Sequence, residues 1–508
     1  MSFKLLLIIL ISGFFRFFKL DWGQGYFFHP DEYHLAAAVE RLSFPRQMNP
    51  ELFSYGSLTV YLIYFTKLLL AAIGHTLPAI IIGRFYAALF STLTIILVYL
   101  IARRLFPKQA LLAAALSATL PGLIQQAHFA TPESNLTFWL FLFLYLGMQY
   151  QKTKKLKFLY LAAASFGLAL ATKITVLFWL PILLFFVLTK PFLLIEKVIV
   201  PLFLAGFVFF CAFPYSLLDY SAFSHSLNYE TGVGRGQPVV FYTRQFINTL
   251  PVLFQFQKIL PYALGPAVLL LGTIGFFLAI RNPNWRLVVA AFLLLFLPHA
   301  FLFAKWTRFI APSFPFFAIF TAYLYKKIKN KFLLFTFYFL LFTNFLWTLI
   351  FFSIYLRPDV RITATDWLNA NLPAAATVLT ESGNMLEVPL TGSLKKVGFD
   401  FYHLDEQASL RQELPGLLAE ADYFIVQSRR MFSNHQRLPN QFPLTSRFYD
   451  LLFANQLGFL KIKELSSYPL IPDEMAEETW SVFDHPVIRI YQKTQFFTEN
   501  DYESLLEI

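Results

Sequence analysis

Up to residue 356 the chain alternates long apolar runs with short basic clusters, and this alternation limits its fold more than any other feature. A bilayer-crossing helix needs a run of about 20 residues, or fewer where Lys or Arg extend from its ends. Such runs lie at 3–19, 56–74, 84–105, 110–125, 135–151, 158–172, 174–189, 195–214, 262–280, 287–304, 309–325 and 332–356. Of the 508 residues 63 are Phe and only 14% are charged, against about 25% charged in soluble domains. The chain therefore reads as an integral membrane protein. Its net charge of +11 follows from basic cytoplasmic loops and calls for no nucleic-acid partner. The lone Cys211 excludes an intrachain disulfide and a cysteine-based metal site. Arg16, Phe17, Phe18 and Lys19 stand where a signal peptide would carry its small-residue cleavage site, so the first run reads as an uncleaved span.

Basic clusters set the topology. Arg103-Arg104…Lys108, Lys152…Lys157, Lys190…Lys197, Arg281…Arg286 and Lys326…Lys331 alternate correctly with every run from 84 onward if all five are cytoplasmic. The run 56–74, which carries Lys67 in its middle, breaks that parity and is read as a helix in the membrane plane. If it spanned instead, the N-terminus would be outside and Asp31-Glu32 cytoplasmic. The expected fold is a polytopic α-helical body, residues 1–356, with about eleven transmembrane helices in a plasma (inner) membrane. Its outer face collects the loops 20–83, 126–134 and 215–261, together with Lys173, Lys305–Arg308 and the tail.

Composition changes at Arg357-Pro358-Asp359. The tail holds 21 of the 30 acids and no run of span length. Short alternating segments at Thr377–Thr380, Tyr423–Val426 and Val487–Tyr491 predict strands, and 361–371, 404–420 and 443–457 predict helices. Residues 357–508 thus read as a soluble extracytoplasmic α/β domain of ordinary size. No Walker loop, dinucleotide glycine fingerprint or nucleophile elbow appears anywhere.

Acids are scarce before the tail. They are Asp21, Asp31, Glu32, Glu40, Glu51, Glu133, Glu196, Asp219 and Glu230. Asp31 and Glu32 are adjacent, just past the first span and flanked by His29 and His34. A partly desolvated carboxylate there can take a proton from a nucleophilic hydroxyl; the same Pro30-Asp31 can equally start a short surface helix with its acids at the positive end. Glu133 lies in the second outer loop, on the same face by parity, beside His128. His29, His34 and His128 are candidate ligands for a divalent metal. Lys173, Lys305, Arg308, Arg235 and Arg244 are cations on the side where basic residues are disfavoured. A phosphate at the membrane surface accounts for them, with Arg binding bidentately and Lys as a point charge; contact with anionic lipid is the plainer alternative.

Several stretches in order now resemble a known group: Asp31-Glu32, then Asn49-Pro50-Glu51-Leu52-Phe53-Ser54-Tyr55-Gly56-Ser57-Leu58, and the Arg84-led span ending Ala102-Arg103-Arg104-Leu105-Phe106. Glu133, Gly167-Leu168-Ala169-Leu170-Ala171-Thr172-Lys173 and Lys305-Trp306-Thr307-Arg308-Phe309-Ile310-Ala311-Pro312 continue the series. Together they resemble the GT-C membrane glycosyltransferases of the family-39 type, which includes protein O-mannosyltransferases and lipid A aminoarabinose transferases. Phe483-Asp484-His485-Pro486-Val487 looks like the outer domain of bacterial members. The resemblance implies inverting transfer of a sugar from a polyprenyl-phosphate carrier to a lipid, glycan or protein acceptor on the outer face. Asp31 would be the base and Glu133 the second-loop acid, here Glu where relatives often have Asp. Tyr55-Gly56-Ser57 departs from the Pro-Pro or His-Pro-Pro common at that point, so the acceptor or donor contacts of relatives do not carry over there; the β-trefoil domain of the mannosyltransferases is not visible in this sequence, so a protein acceptor is disfavoured. The inventory suits the chemistry: a departing phosphate needs a cationic cradle and one base, whereas a glycosidase needs two catalytic carboxyls. Competing readings are an oligosaccharide transferase with a diphosphate-linked donor and a divalent metal, and a transporter or flippase of lipid-linked sugar.

Overall fold

Where the sequence carries its long apolar runs the backbone is helical, the form in which each segment satisfies its own N–H and C=O groups without water. The computed structural model describes residues 2–188, 195–383, 387–467, 470–471 and 473–507. Lys190 of the third basic cluster and the end of the 174–189 run lie outside the described residues. Two compact units emerge. The first comprises 1–21, 31–239 and 248–352; the second comprises 22–30, 240–247 and 353–508.

Among the described residues, Ala79–Leu105, Ile195–Ala212, Pro283–Ala300 and Lys331–Leu356 are long and apolar enough to cross a membrane, and two bent helix pairs raise the number to six if each is one span. The expected eleven spans thus reduce to a coarser result, an apolar helical body. Two runs read as single spans are broken by residues that break helices for known reasons. Pro121 opens a new helix after a 57° bend, and Gly265, at φ +80°, precedes Pro266 at a 112° bend. A Cβ at Gly265 would lie 2.2 Å from Asn344 Oδ1. Asn344, on an otherwise apolar helix, accepts from Val268 N at 3.1 Å and donates to Leu264 O at 3.1 Å. One side chain thus supplies partners to backbone groups on both sides of the break. The 56–74 run is a 15-residue helix, Leu58–Ala72, shorter than a straight crossing requires.

The second unit is built on a five-stranded sheet of β1 (Thr377–Glu381), β2 (Lys395–Phe399), β3 (Tyr423–Val426), β4 (Phe459–Leu465) and β5 (Ile488–Lys493), in the order β2-β1-β3-β5-β4. β1 runs parallel to β2 and β3, while β5 is antiparallel to β3 and β4. Period-two alternation assigns the faces. Leu379, Phe424 and Val426 pack with Leu414, Phe448, Tyr449 and Tyr502 from three helices, whereas Val378, Ile425, Ile488 and Ile490 pack with Ala364 and Leu368 of Val360–Asn371. Residues 22–30 and 240–247, expected as loops of the membrane body, join this unit. Phe28 lies under the Arg361 guanidinium at 3.7 Å, and Phe241 lies 4.5 Å from the Tyr402 ring. Their aromatic side chains supply contacts that a span-and-loop reading of the sequence does not foresee.

Candidate active site

Pro30 opens the helix Pro30–Glu40 and puts both Asp31 and Glu32 in its first turn, where carboxylates complement the helix dipole. Successive helical residues point about 100° apart, and the two acids meet different partners. Glu32 is fully buried. It receives Arg84 Nε at 2.8 Å and Nη2 at 2.7 Å, and Ala130 N donates to it at 2.6 Å. Arg84 Nη1 also donates to Leu20 O at 2.7 Å. Four separate stretches are tied through this one carboxylate, both of whose oxygens are engaged by Arg84 and Ala130.

Asp31 stays at the edge of the interior, 18% exposed, and accepts from Arg308 Nη1 across 277 residues of sequence. Arg308 sits on Thr307–Ile310 with its guanidinium 4.8 Å from the Trp306 ring centre and 5.8 Å from that of Phe309. On the other side of the charge inventory, Glu133 begins the helix Glu133–Thr153, is 1% exposed and receives Lys173 Nζ at 3.0 Å. Its second oxygen has no hydrogen-bond partner among the described residues. Lys173 Nζ lies 4.8 Å from the Phe309 ring centre and 5.6 Å from that of Tyr55. The Phe309 ring is therefore common to both cations, and with it the structure brings Asp31, Glu133, Lys173 and Arg308 into one neighbourhood.

Backbone contact fixes Lys173. Gly56 N donates to Thr172 O at 3.1 Å and Leu58 N to Ala171 O at 3.2 Å, and a Cβ at Gly56 would stand 1.9 Å from Ala171 O. Only glycine allows that approach, so Tyr55-Gly56-Ser57 has a positional function of its own. Burial, then the fields of Glu133 and Glu230, push the Tyr55 hydroxyl well up, and it stays protonated as a donor. Burial pushes the Glu230 carboxyl up against the field of Lys173; by sequence alone it is one more acid of the 215–261 loop. Lys173, Thr175, Trp179, His299, Arg308 and Phe309 line one narrow cleft. A second narrow cleft reaches Glu133 from the side of Ser91 and Gln126.

The remaining predicted residues are not among those that line the cleft. Lys305 Nζ donates to Thr249 Oγ1 at 3.2 Å and Phe303 O at 3.0 Å, so it holds a loop rather than lining the cleft, and burial pushes its ammonium down. Arg235 is exposed on the last turn of Tyr220–Arg235, with no ion pair among the described residues. Arg244 belongs to the second unit, where it donates to Tyr402 O at 2.7 Å, His435 Nε2 at 2.8 Å and Glu406 at 2.5 Å. The histidines do not form a metal site: among the described residues no group of three or more His, Cys, Asp or Glu could hold an ion. His128 turns its ring nitrogens to Ile124 O at 2.8 Å and Phe18 O at 3.0 Å, His34 is exposed, and His29, in the second unit, lies 4.1 Å from the Phe483 ring. Trp179 and His299 were missed. In an apolar run neither differs from a packing residue, and their polar atoms become informative only once a cleft is seen beside them.

Residues 59–217 match the family model described as dolichyl-phosphate-mannose-protein mannosyltransferase, a segment that includes Arg84, Glu133 and Lys173. No curated protein matches the chain. Among solved structures it is similar to the oligosaccharyltransferase of Archaeoglobus fulgidus in the apo form, at a TM-score of 0.52 and 14% identity over 88% of this chain and 72% of that one. The same enzyme in complex with Zn and sulfate gives 0.51 and 16% over 88% and 71%. ArnT from Cupriavidus metallidurans in the apo state covers 96% of both chains at 13% identity and 0.46.

Proposed function

The chain resembles the GT-C membrane glycosyltransferases in sequence over 59–217 and in fold over most of its length, and on that premise we propose that it is an inverting transferase, moving a sugar from a polyprenyl-phosphate carrier to an acceptor on the extracytoplasmic face. One observation carries this reading. Two acids and two cations, drawn from four distant stretches, meet around the Phe309 ring as Asp31 with Arg308 and Glu133 with Lys173.

Each group has a task. Asp31 takes the proton of the acceptor hydroxyl as its oxygen attacks the anomeric carbon; the bond from that carbon to the phosphate oxygen breaks, and its electron pair leaves with the polyprenyl phosphate. A single displacement inverts the anomeric centre, and the proton passes from Asp31 to water. Charge grows on the departing phosphate, where fixed cations stabilise it most. Arg308 has five N–H donors, enough to hold Asp31 and a phosphate oxygen together, so it positions base and leaving group from one side chain. Lys173 is the second positive charge. Glu133 holds Lys173 and has one oxygen left to accept from the acceptor. Because both acids are already paired with cations and no third ligand converges on them among the described residues, a diphosphate-linked donor bridged by a metal is the weaker reading.

Asp31→Asn tests the assignment. Turnover of a polyprenyl-phosphate sugar by the full-length protein in lipid nanodiscs is expected to fall about 10²–10⁴-fold with the unfolding midpoint unchanged. Retained turnover removes Asp31 as the base.

A further inference from the structure

Buried polar atoms without partners are rare in native proteins, because each costs its full desolvation. One lines the cleft that Lys173 and Arg308 share, beside a ring nitrogen that is likewise unpartnered. Trp179, 1% exposed at the end of the turn Ile174–Trp179, has an indole N–H with no hydrogen-bond partner among the described residues. His299 is 3% exposed, and its Nδ1 lies 2.7 Å from Leu295 O. A carbonyl only accepts, so the proton is on Nδ1 and the neutral ring presents a lone pair at Nε2. That nitrogen too has no partner among the described residues. Phe178 and Phe309 flank the imidazole, with ring centres at 5.6 and 5.9 Å, and fix its plane.

We propose that this cleft reads the hydroxyl groups of the donor sugar, Trp179 Nε1 donating and His299 Nε2 accepting; the inference rests on the transferase reading above. A polyprenyl chain offers nothing to either atom, and the phosphodiester of a glycosylated carrier has no O–H to donate to a lone pair. A sugar hydroxyl both donates and accepts, so it satisfies a rigid donor and a rigid acceptor together. The neighbouring cations place the phosphate in the same cleft, which a sugar attached through that phosphate must also enter. Selectivity then follows from what is left unpaired: a site built to bond a hydroxyl discriminates strongly against a ligand that lacks it.

The test compares binding of undecaprenyl phosphate with its mannosyl, glucosyl and aminoarabinosyl derivatives to the full-length protein in nanodiscs. Trp179→Phe keeps the aromatic bulk and removes the N–H; His299→Phe removes the acceptor. Each is expected to lower the preference for the best glycosylated carrier over the bare one about tenfold, with affinity for the bare carrier unchanged. His299→Gln, whose terminal oxygen can accept near the Nε2 position, is expected to restore part of the preference. An unchanged preference in both Phe variants overturns the inference, as does a parallel loss of bare-carrier affinity, which marks a packing role. Wild-type protein that transfers sugar but binds bare and glycosylated carriers equally overturns it while the transferase reading stands. Wild-type protein that binds no polyprenyl carrier overturns both.

Discussion

Two buried charge assemblies in this chain are built on opposite plans. Around His485, in the C-terminal unit, the groups answer one another: Nδ1 meets Asp484 at 2.5 Å, Nε2 meets Asp473 at 2.6 Å, and Tyr355 donates its hydroxyl to the other Asp484 oxygen at 2.8 Å. Burial alone pulls the imidazolium down, but the two carboxylates outweigh it and push His485 up to about 10. Around Phe309 the ion pairs are joined by atoms left over, one oxygen of Glu133 and the ring N–H of Trp179. Buried networks with every group answered rigidify a fold, and those with vacancies are the ones a ligand can complete. On this comparison, substitutions in the first assembly should reach stability and substitutions in the second should reach turnover.

Asp473→Asn breaks the first. It leaves a buried imidazolium with a single carboxylate and is expected to cost about 3 kcal/mol, read as an earlier midpoint in chemical denaturation, with the kcat of whatever protein remains folded unchanged. Arg308→Lys acts on the second. It keeps the charge and loses the planar fork, so turnover is expected to fall about 10²-fold at constant midpoint. A shift of the midpoint comparable to that of Asp473→Asn would erase the distinction.

The smallest effect is one of pH. Burial pushes the Glu381 carboxyl up to about 7, against bonds from Tyr449 Oη at 2.5 Å and Gln427 N at 2.8 Å. A folded state that holds a proton more tightly than the unfolded chain gains stability at low pH and loses it as pH rises from about 4.5 through 7. Glu381→Gln is expected to flatten thermal midpoints across that window and to raise the midpoint at pH 8 by a few degrees. Turnover should not change, since Glu381 belongs to the unit that contains no member of the cleft. A steeper slope in the variant would mean that the carboxyl is charged when folded.

Much of this was legible because charge is scarce. In an apolar chain with nine acids before residue 357, Asp31, Glu133, Lys173 and Arg308 stand out, and the alternation of basic clusters predicts one face for all four. The strands β1, β3 and β5 were foreseen from alternation. β2 and β4 were not singled out, since edge strands carry Lys where a central strand carries apolar residues: Lys395 and Lys396 in one, Lys461 and Lys463 in the other. Sequence could not separate Asp31 from Glu32, whose difference is a rotation about a helix axis. Nor could it separate Arg308 from Lys305, three residues away and turned to Thr249. Pro121 and Gly265-Pro266 were visible as punctuation, yet the size of each bend depends on packing partners such as Asn344.

A single benzene ring is shared by two like charges here. The centre of the Phe309 ring lies 4.8 Å from the Lys173 ammonium and 5.8 Å from the Arg308 guanidinium, and its electron-rich π cloud attracts each. Each cation already answers a carboxylate, Glu133 or Asp31, so the formal charges of the four groups cancel before any guest arrives. An incoming anion competes with those carboxylates, and the grip of this pocket on its guest is set by how readily each acid yields its partner.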